Sequence, residues 1–449
     1  MVAILPFLLC LQSEVKMTTI RQFSHIALAL LALTGRVTML GISRWTGQGG
    51  SYRTVQRFFA TVLPWAALFW RFFHTHLFHK DDLYILAGDE TVVSKAGKHT
   101  YGLDRFFASL AGKPIPGLAF FSLSLISTKQ RRSFPVALEQ VVHTREERAA
   151  AKAKTKTKAK TASPKRKGGR PKGSTTKAKT DVVLNPELTR ISTLILALLT
   201  RIGSLLSLTY LVLDGHFGTN AALQMALRCN MQLISKLRSD SALFLPYDGP
   251  YAGHGPHRIY GDKLNPGAIP ERFVRQSSVA NQIETRIYQL TARHQSFAQA
   301  LNVVVIVKTN LTSQTQAHVI LFSSDLELSC ELLMDYYCLR FQLEFTFRDA
   351  KQHWGLEDFM NTTPTAVTNA ANLSLFMVNL TERVMQDIRP GQPDMSVLDL
   401  KAYCRGAKYI EEVIKLLPET PEPVIVERIF SKITGIGRIH ALPVDSVPA

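Results

Sequence analysis

Cysteine is scarce in this sequence. The 449 residues hold five, Cys10, Cys229, Cys330, Cys338 and Cys404, scattered and without a CxxC pair. That excludes a disulfide scaffold and a cysteine-rich zinc site, and it fits a reducing, cytoplasmic compartment. Long apolar runs are lacking as well. The two richest stretches, around 26–33 and 194–213, are interrupted by Arg36 and Arg201. Neither reaches the ~20 uninterrupted apolar residues of a membrane span. Acidic residues are in short supply: 35 Asp and Glu stand against 53 Lys and Arg, a net charge of +18. A balance of 46% hydrophobic and 20% charged residues excludes global disorder, and the length predicts about three domains of ~150 residues.

The basic excess is local. Residues 151–180 carry twelve Lys or Arg and no acid, and taking them away leaves +6 for the rest of the chain. Such a segment points to a polyanion, nucleic acid first and an anionic membrane second. The wider stretch 145–180 is Lys, Ala, Thr, Gly and Pro, too poor in apolar bulk to bury a core, and is expected to be a disordered basic arm. Within it, Gly169-Arg170-Pro171 is flanked by Lys165, Arg166 and Lys172. That centre is similar to an AT-hook, an arm whose Arg enters narrow A·T-rich minor grooves. The alternative is a solvated basic linker.

Residues 1–78 read as helical. The first sixteen, MVAILPFLLCLQSEVK, read as an over-extended start or a short apolar leader, without the basic n-region of a signal peptide. Farther on, a short helix, the turn Gln48-Gly49-Gly50 and a second helix with Ser51 as N-cap give a helix-turn-helix outline. Its second helix offers Tyr52, Arg53, Gln56 and Arg57, of which Arg53 and Arg57 are the expected DNA contacts. A helical hairpin with a solvated basic face is the alternative.

From Asp81 the pattern changes. Residues 84–87, Tyr-Ile-Leu-Ala, predict a buried strand delivering Asp89 at its C-terminal end. Residues 117–126 and 134–142 read as strands, and 186–202 as an apolar helix. Residues 208–214 predict a second buried strand ending in Asp214, followed by a helix at 218–228 and a strand at 231–236. Alternation of this kind implies an α/β layer. Residues 237–280 are irregular, and 285–291, 303–308 and 317–322 are β-like, together an antiparallel platform inserted in the α/β domain. Residues 331–354 read as one helix, and 394–417 as another.

Placed on a helix at ~100° per residue, Arg340, Glu344 and Lys351 lie about −60°, −20° and −40° from Tyr337. They form one narrow polar stripe on a helix that otherwise shows Leu339, Phe341, Leu343, Phe345 and Phe347. The expectation is a largely buried helix with one polar line, because buried charge needs an ion partner, a metal or a phosphate. Two strand-end Asp and a helix Glu can hold two Mg²⁺ ~4 Å apart, one activating the attacking oxygen and one steadying the leaving 3′-oxygen. Hard carboxylate oxygens suit Mg²⁺ or Mn²⁺ rather than zinc. Glu90 alternates to the face opposite Asp89, and Asp349 lies off the stripe. Lys95 and Lys98 read as a solvated loop, with a phosphate contact as the alternative. His74, His76 and His79 lack a matching acid pattern for a metal site. Trp354 reads as a core or helix-end aromatic.

The spacing Y-x2-R-x3-E-x6-K at Tyr337, Arg340, Glu344 and Lys351 resembles the signature of DDE transposases of the YREK group, the insertion-sequence-four family. The order Asp, Asp, Glu, the β insertion between the second and third acids, and the neighbourhoods GDETVVSKAGK and LVLDG are similar to that family too, over roughly residues 80–385. The resemblance implies an α/β, ribonuclease-H-like catalytic domain with an inserted mainly-β subdomain, preceded by an all-α DNA-binding domain. It implies that Asp89, Asp214 and Glu344 bind two metal ions, Mg²⁺ with Mn²⁺ able to substitute, and that Tyr337, Arg340 and Lys351 contact the DNA end. The Lys-rich segment departs from the family pattern. The division expected is residues 1–78 for the helical region, 79–236 for the first part of the core, 237–330 for the β-rich insertion, 331–385 for the second part of the core and 386–449 for a C-terminal region.

The function expected is that of a transposase. It binds double-stranded DNA at terminal inverted repeats and at a target, acts as a homodimer in a synaptic complex, and works at the bacterial nucleoid rather than at a membrane. Three rivals stay open: a relic that binds without cutting, a tyrosine recombinase using Tyr336 or Tyr337, and a membrane-surface protein using the Lys run.

Overall fold

The computed structural model of the chain describes residues 3–47, 50–108, 111–149, 178–251, 253–419 and 421–440. Lys165, Arg166, Arg170 and Lys172, and with them most of the basic arm, lie outside the described residues, as do Gln48 and Gly49 of the expected turn.

A short apolar turn at Leu5–Leu8 leads into four helices, α1 (Met17–Ala32), α2 (Met39–Trp45), α3 (Tyr52–Ala60) and α4 (Trp65–His76). The side chains of Thr38 and Ser51 cap α2 and α3 by accepting from Gly41 N and Thr54 N, which satisfies amides that a helix start leaves free. Ile4, Leu8 and Leu11 recur at helical spacing and are buried in the core, each burial contributing about 1.5–3 kcal/mol. On α3 the i, i+3, i+4 positions Val55, Phe58 and Phe59 are buried, and Tyr52, Arg53, Gln56 and Arg57 occupy the outer face.

The strands follow: β1 (Tyr84–Ser94), β2 (Asp104–Ala108), β3 (Lys113–Ser127) and β4 (Arg132–Val141). After helix α5 (Pro186–Ile202) come β5 (Tyr210–Val212), α6 (Asn220–Arg228) and β6 (Gln232–Leu237). The next strands are β7 (Leu243–Pro246), β8 (Tyr260–Lys263), β9 (Val274–Ala280), β10 (Ile283–His294), β11 (Leu301–Asn310) and β12 (Gln316–Ser323). They form one mixed sheet in the order β2-β3-β1-β5-β6-β12-β11-β10-β7-β8, with β4 paired to β3 and β9 to β10. β1 is antiparallel to β3 and parallel to β5, and β5 is parallel to β6. The β strands after β6 continue the same sheet through the antiparallel β6–β12 pair. The class is mixed α/β.

The chain then returns to helix with α7 (Cys330–Leu339), α8 (Gln342–Trp354), α9 (Pro364–Ile388), α10 (Val397–Ile414) and α11 (Pro423–Ile433). Here the expectation of one helix over 331–354 is corrected. At Arg340 and Phe341 the backbone tightens to i→i−3 bonds, Phe341 N to Cys338 O, Leu343 N to Arg340 O and Glu344 N to Phe341 O, the pattern of a 3₁₀ turn. No Gly or Pro sits there. The turn comes where the apolar stripe changes support: Leu333, Tyr336, Leu339 and Leu343 pack in the smaller cluster on one sheet face, and Phe347, Ala350 and Trp354 in the larger core.

α9 went unread in the sequence, although most of its residues are buried. Polar residues interrupt its apolar pattern, and three of them bond distant carbonyls: Asn369 Nδ2 donates to Phe59 O at 2.8 Å, Ser374 Oγ to Trp354 O at 2.9 Å, and Asn379 Nδ2 to Pro135 O at 2.8 Å. Buried polar groups that are bonded this way cost little. Phe376 of α9 receives Phe23 and Phe72 at 4.9 Å between ring centroids, so the N-terminal helices are packed onto the same core as the sheet. No helix among the described residues is long and apolar enough to cross a membrane.

Candidate active site at Asp89, Asp214 and Glu344

β1 and β5 run in parallel with Leu86 opposite Leu211 and Ala87 opposite Val212. Asp89 and Asp214 each stand two residues beyond the Ala87–Val212 pair. By alternation they share the sheet face of Ile85, Ala87 and Val212, the face that α7 and the start of α8 cover. Asp89 is therefore not at a strand end as expected. β1 continues to Ser94 because β3 pairs with it along its whole length, and only the partnership with β5 stops before Asp89. Gly88 is needed for the passage: a Cβ there would meet Phe121 Cζ at 2.7 Å and Leu213 Cδ2 at 3.0 Å.

Arg340 ties the helix to the strand. Its Nη1 donates to Asp89 Oδ2 at 2.6 Å and its Nη2 to Glu344 Oε1 at 3.0 Å. The Arg340 side chain is 14% exposed, Asp89 22% and Glu344 43%. Asp89 Oδ1 accepts from Glu90 N at 2.8 Å, and Asp214 Oδ1 accepts from His216 N at 3.2 Å. The Asp214 carbonyl is held by Ser235 Oγ at 2.7 Å. Burial pushes the Asp89 carboxyl above its ordinary value; the Arg340 charge works against the shift, and Asp214 and Glu344 add to it. Tyr337 is raised by burial too, with Arg340 opposing.

The helix is less buried than its sequence predicts. Phe341 is 50% and Phe345 38% exposed, edge to face at 5.1 Å between centroids. The polar stripe reaches the strand all the same. Lys351 Nζ donates to Val92 O at 3.0 Å and pairs with Glu357 at 3.3 Å. Lys95 is not a solvated lysine. Its Nζ donates to Glu357 O and Phe359 O, both at 2.8 Å, and lies 3.7 Å above the Phe359 ring; burial lowers its pKa to about 8. Glu357 and Phe359 were missed in the sequence, where Gly355, a left-handed residue closing α8, is the one signal that the chain turns back there.

The remaining residues sit elsewhere. Glu90 faces Glu187, His143 and His216 on the opposite side of β1. Asp349 pairs with Arg348 at 3.0 Å and lines a cavity of about 230 Å³ with Thr381 and Arg132. Lys98 is exposed. His76 Nε2 donates to Phe7 O at 2.8 Å, and His74 stacks on Phe78. Trp354 is buried at the end of α8. Tyr336 is buried against Tyr210 at 5.3 Å between centroids. Arg53 and Arg57 remain on the outer face of α3.

Residues 10–298 match the family model of the DDE superfamily endonuclease. The chain belongs to that family. In this DDE superfamily endonuclease the matched stretch carries Asp89 and Asp214 and ends before Glu344. No curated protein matches the chain. Enzymes of the family generally use divalent metal ions, and the donor set fits them in kind: three carboxylates, one on β1, one just beyond the end of the neighbouring β5 and one on α8, all hard oxygen ligands. Among the described residues no three His, Cys, Asp or Glu side chains are gathered closely enough to hold an ion. Arg340 stands between Asp89 and Glu344 instead.

Proposed function

We propose that this endonuclease is a DNA transposase of the YREK group, with a ribonuclease-H-like core, that binds terminal inverted repeats and carries out DNA cleavage and strand transfer. The observation that carries the reading is the parallel β1–β5 register, from which Asp89 and Asp214 each lie two residues past the Ala87–Val212 pair, with Glu344 joined to Asp89 through Arg340. The order β4-β3-β1-β5-β6, antiparallel among the first three and parallel among the last three, supports the ribonuclease-H-like core.

Asp89, Asp214 and Glu344 are the residues that would hold two Mg²⁺, or Mn²⁺ in its place. Bound there, the ions supply activation of the attacking oxygen and neutralisation of charge on the leaving 3′-oxygen. The protein's own part is positioning. Tyr337, Arg340 and Lys351 contact the phosphates of the DNA end, a guanidinium being suited to two phosphate oxygens at once. Arg53 and Arg57, on an all-α N-terminal DNA-binding region, contact the repeat, and the arm with Lys165, Arg166, Arg170 and Lys172 tracks an adjacent minor groove. Two subunits form the synaptic complex, since cutting at two ends has to be coordinated.

The test is cleavage of a labelled duplex bearing the DNA end that flanks the chain's own gene. Release of a 3′-hydroxyl end in Mg²⁺ that EDTA stops and Glu344→Gln abolishes is the expected result. Specific binding with no cleavage in Mg²⁺ or Mn²⁺ would leave a binding relic. Cleavage that survives EDTA with protein attached to DNA would transfer the role to Tyr336 or Tyr337.

A further inference from the structure

The carboxylate site contains a cation of its own. Arg340 reaches Asp89 Oδ2 with one terminal nitrogen and Glu344 Oε1 with the other, at 2.6 and 3.0 Å. These are oxygens that a divalent ion would need. A guanidinium and a metal ion cannot share them, because both demand the same lone pairs and their charges repel. The third nitrogen, Arg340 Nε, is buried with no partner, a donor left unused in a place where unused donors are costly. The residue also sits in the tightened turn between α7 and α8, where the bonds are i→i−3, a poorer bonding geometry than that of the helices on either side.

We propose that Arg340 is an internal counter-ion that keeps Glu344 and Asp89 from gathering around a divalent ion in the DNA-free protein, and that a backbone phosphate of bound DNA draws the guanidinium off. A phosphate offers Nε and one Nη a paired set of oxygens, the geometry that Arg binds most strongly, and it satisfies the idle Nε. The carboxylates then become free together, so the metal site assembles only on its substrate. This rests on the metal-dependent reading above and adds its regulation.

The test uses the full chain and Mn²⁺ alone, with free Mn²⁺ read by electron paramagnetic resonance and folding checked by circular dichroism. Without DNA, Arg340→Gln binds Mn²⁺ at least ~10-fold more tightly than wild type, a factor of ten being about 1.4 kcal/mol. Arg340→Lys, which keeps a charge without the fork, falls between them. Arg348→Gln removes a positive charge from α8, the helix of Glu344, and changes the affinity by less than about twofold. Glu344→Gln weakens Mn²⁺ binding by roughly 10-fold in the Arg340→Gln background and hardly at all in wild type, the non-additivity expected of a shared contact. Equal Mn²⁺ affinity of wild type and Arg340→Gln, or an equal effect of Glu344→Gln in both backgrounds, overturns the proposal. If the wild type still cleaves DNA in Mg²⁺, the counter-ion role fails alone. If no protein binds Mn²⁺, with or without a duplex, and none cleaves, the metal-dependent reading fails with it.

Discussion

Lys351 donates to the carbonyl of Val92 at 3.0 Å, and this bond holds the helix of Glu344 against the strand of Asp89. Replacing it as Lys351→Met removes that bond and the 3.3 Å pair with Glu357. The expected loss is about 1 kcal/mol of stability and roughly tenfold in cleavage rate, since helix α8 then sits less firmly over β1 and the proposed phosphate contact is lost with it. Thermal denaturation and single-turnover cleavage measure the two effects. A rate unchanged from wild type would mean that Lys351 neither positions α8 nor contacts the DNA end.

The two faces of β1 make opposite predictions for adjacent acids. Asp89 faces Arg340, whereas Glu90 faces Glu187 and His143. Asp89→Asn should lower cleavage by roughly a thousand-fold, the scale on which loss of one preorganised electrostatic group is felt. Glu90→Gln should stay within about twofold. Steady-state cleavage of one duplex by both variants decides it, and similar losses in the two would contradict the assignment of faces.

How much of this was legible beforehand depended on what each segment packs against. Short apolar runs ending in Asp89 and Asp214 marked neighbouring strands, because strands buried on both faces read as continuous apolar runs. Alternation alone put Glu90 opposite Asp89. What stayed hidden was set by tertiary partners. The length of β1 comes from its pairing with β3, which no local pattern near Asp89 encodes. The Arg340 turn carries no breaker residue. α9 conceals its helical period behind Asn and Ser side chains that bond distant carbonyls. The partners of Lys95 are 262 and 264 residues away in sequence, so composition around Lys95 suggested only a solvated loop.

Gly88 should not tolerate a side chain. The methyl of Gly88→Ala would press on Phe121 and Leu213, at 2.7 and 3.0 Å, and overpacking of this kind costs about 1–3 kcal/mol. Urea denaturation should show a lower midpoint with an unchanged slope. A midpoint equal to that of the wild type would mean that the two side chains give way freely.

Lys401 gives a pH signature. Its Nζ is buried, donating to Leu30 O at 2.7 Å and lying 4.8 Å from the Trp354 ring centroid. Burial lowers its pKa from 10.5 to about 8. Between those values the unfolded chain binds the proton and the folded chain does not, so stability rises with pH across that window. The contribution is on the order of 3 kcal/mol. The difference in unfolding free energy between wild type and Lys401→Met, taken at pH 7.5 and pH 10, should shift in favour of wild type at the higher pH. A constant difference would contradict the burial of a titrating amine.

The central claim is that Asp89, Asp214 and Glu344 hold one metal site when DNA is bound. Fe²⁺ substituted for Mg²⁺, with ascorbate and peroxide, cuts a polypeptide backbone close to the bound ion, and the fragments can be mapped by mass spectrometry. With a duplex present, cuts are expected near residues 89, 214 and 344 together, and their loss is expected in Asp89→Asn. Cuts confined to other parts of the chain, with these three segments intact, would contradict the account.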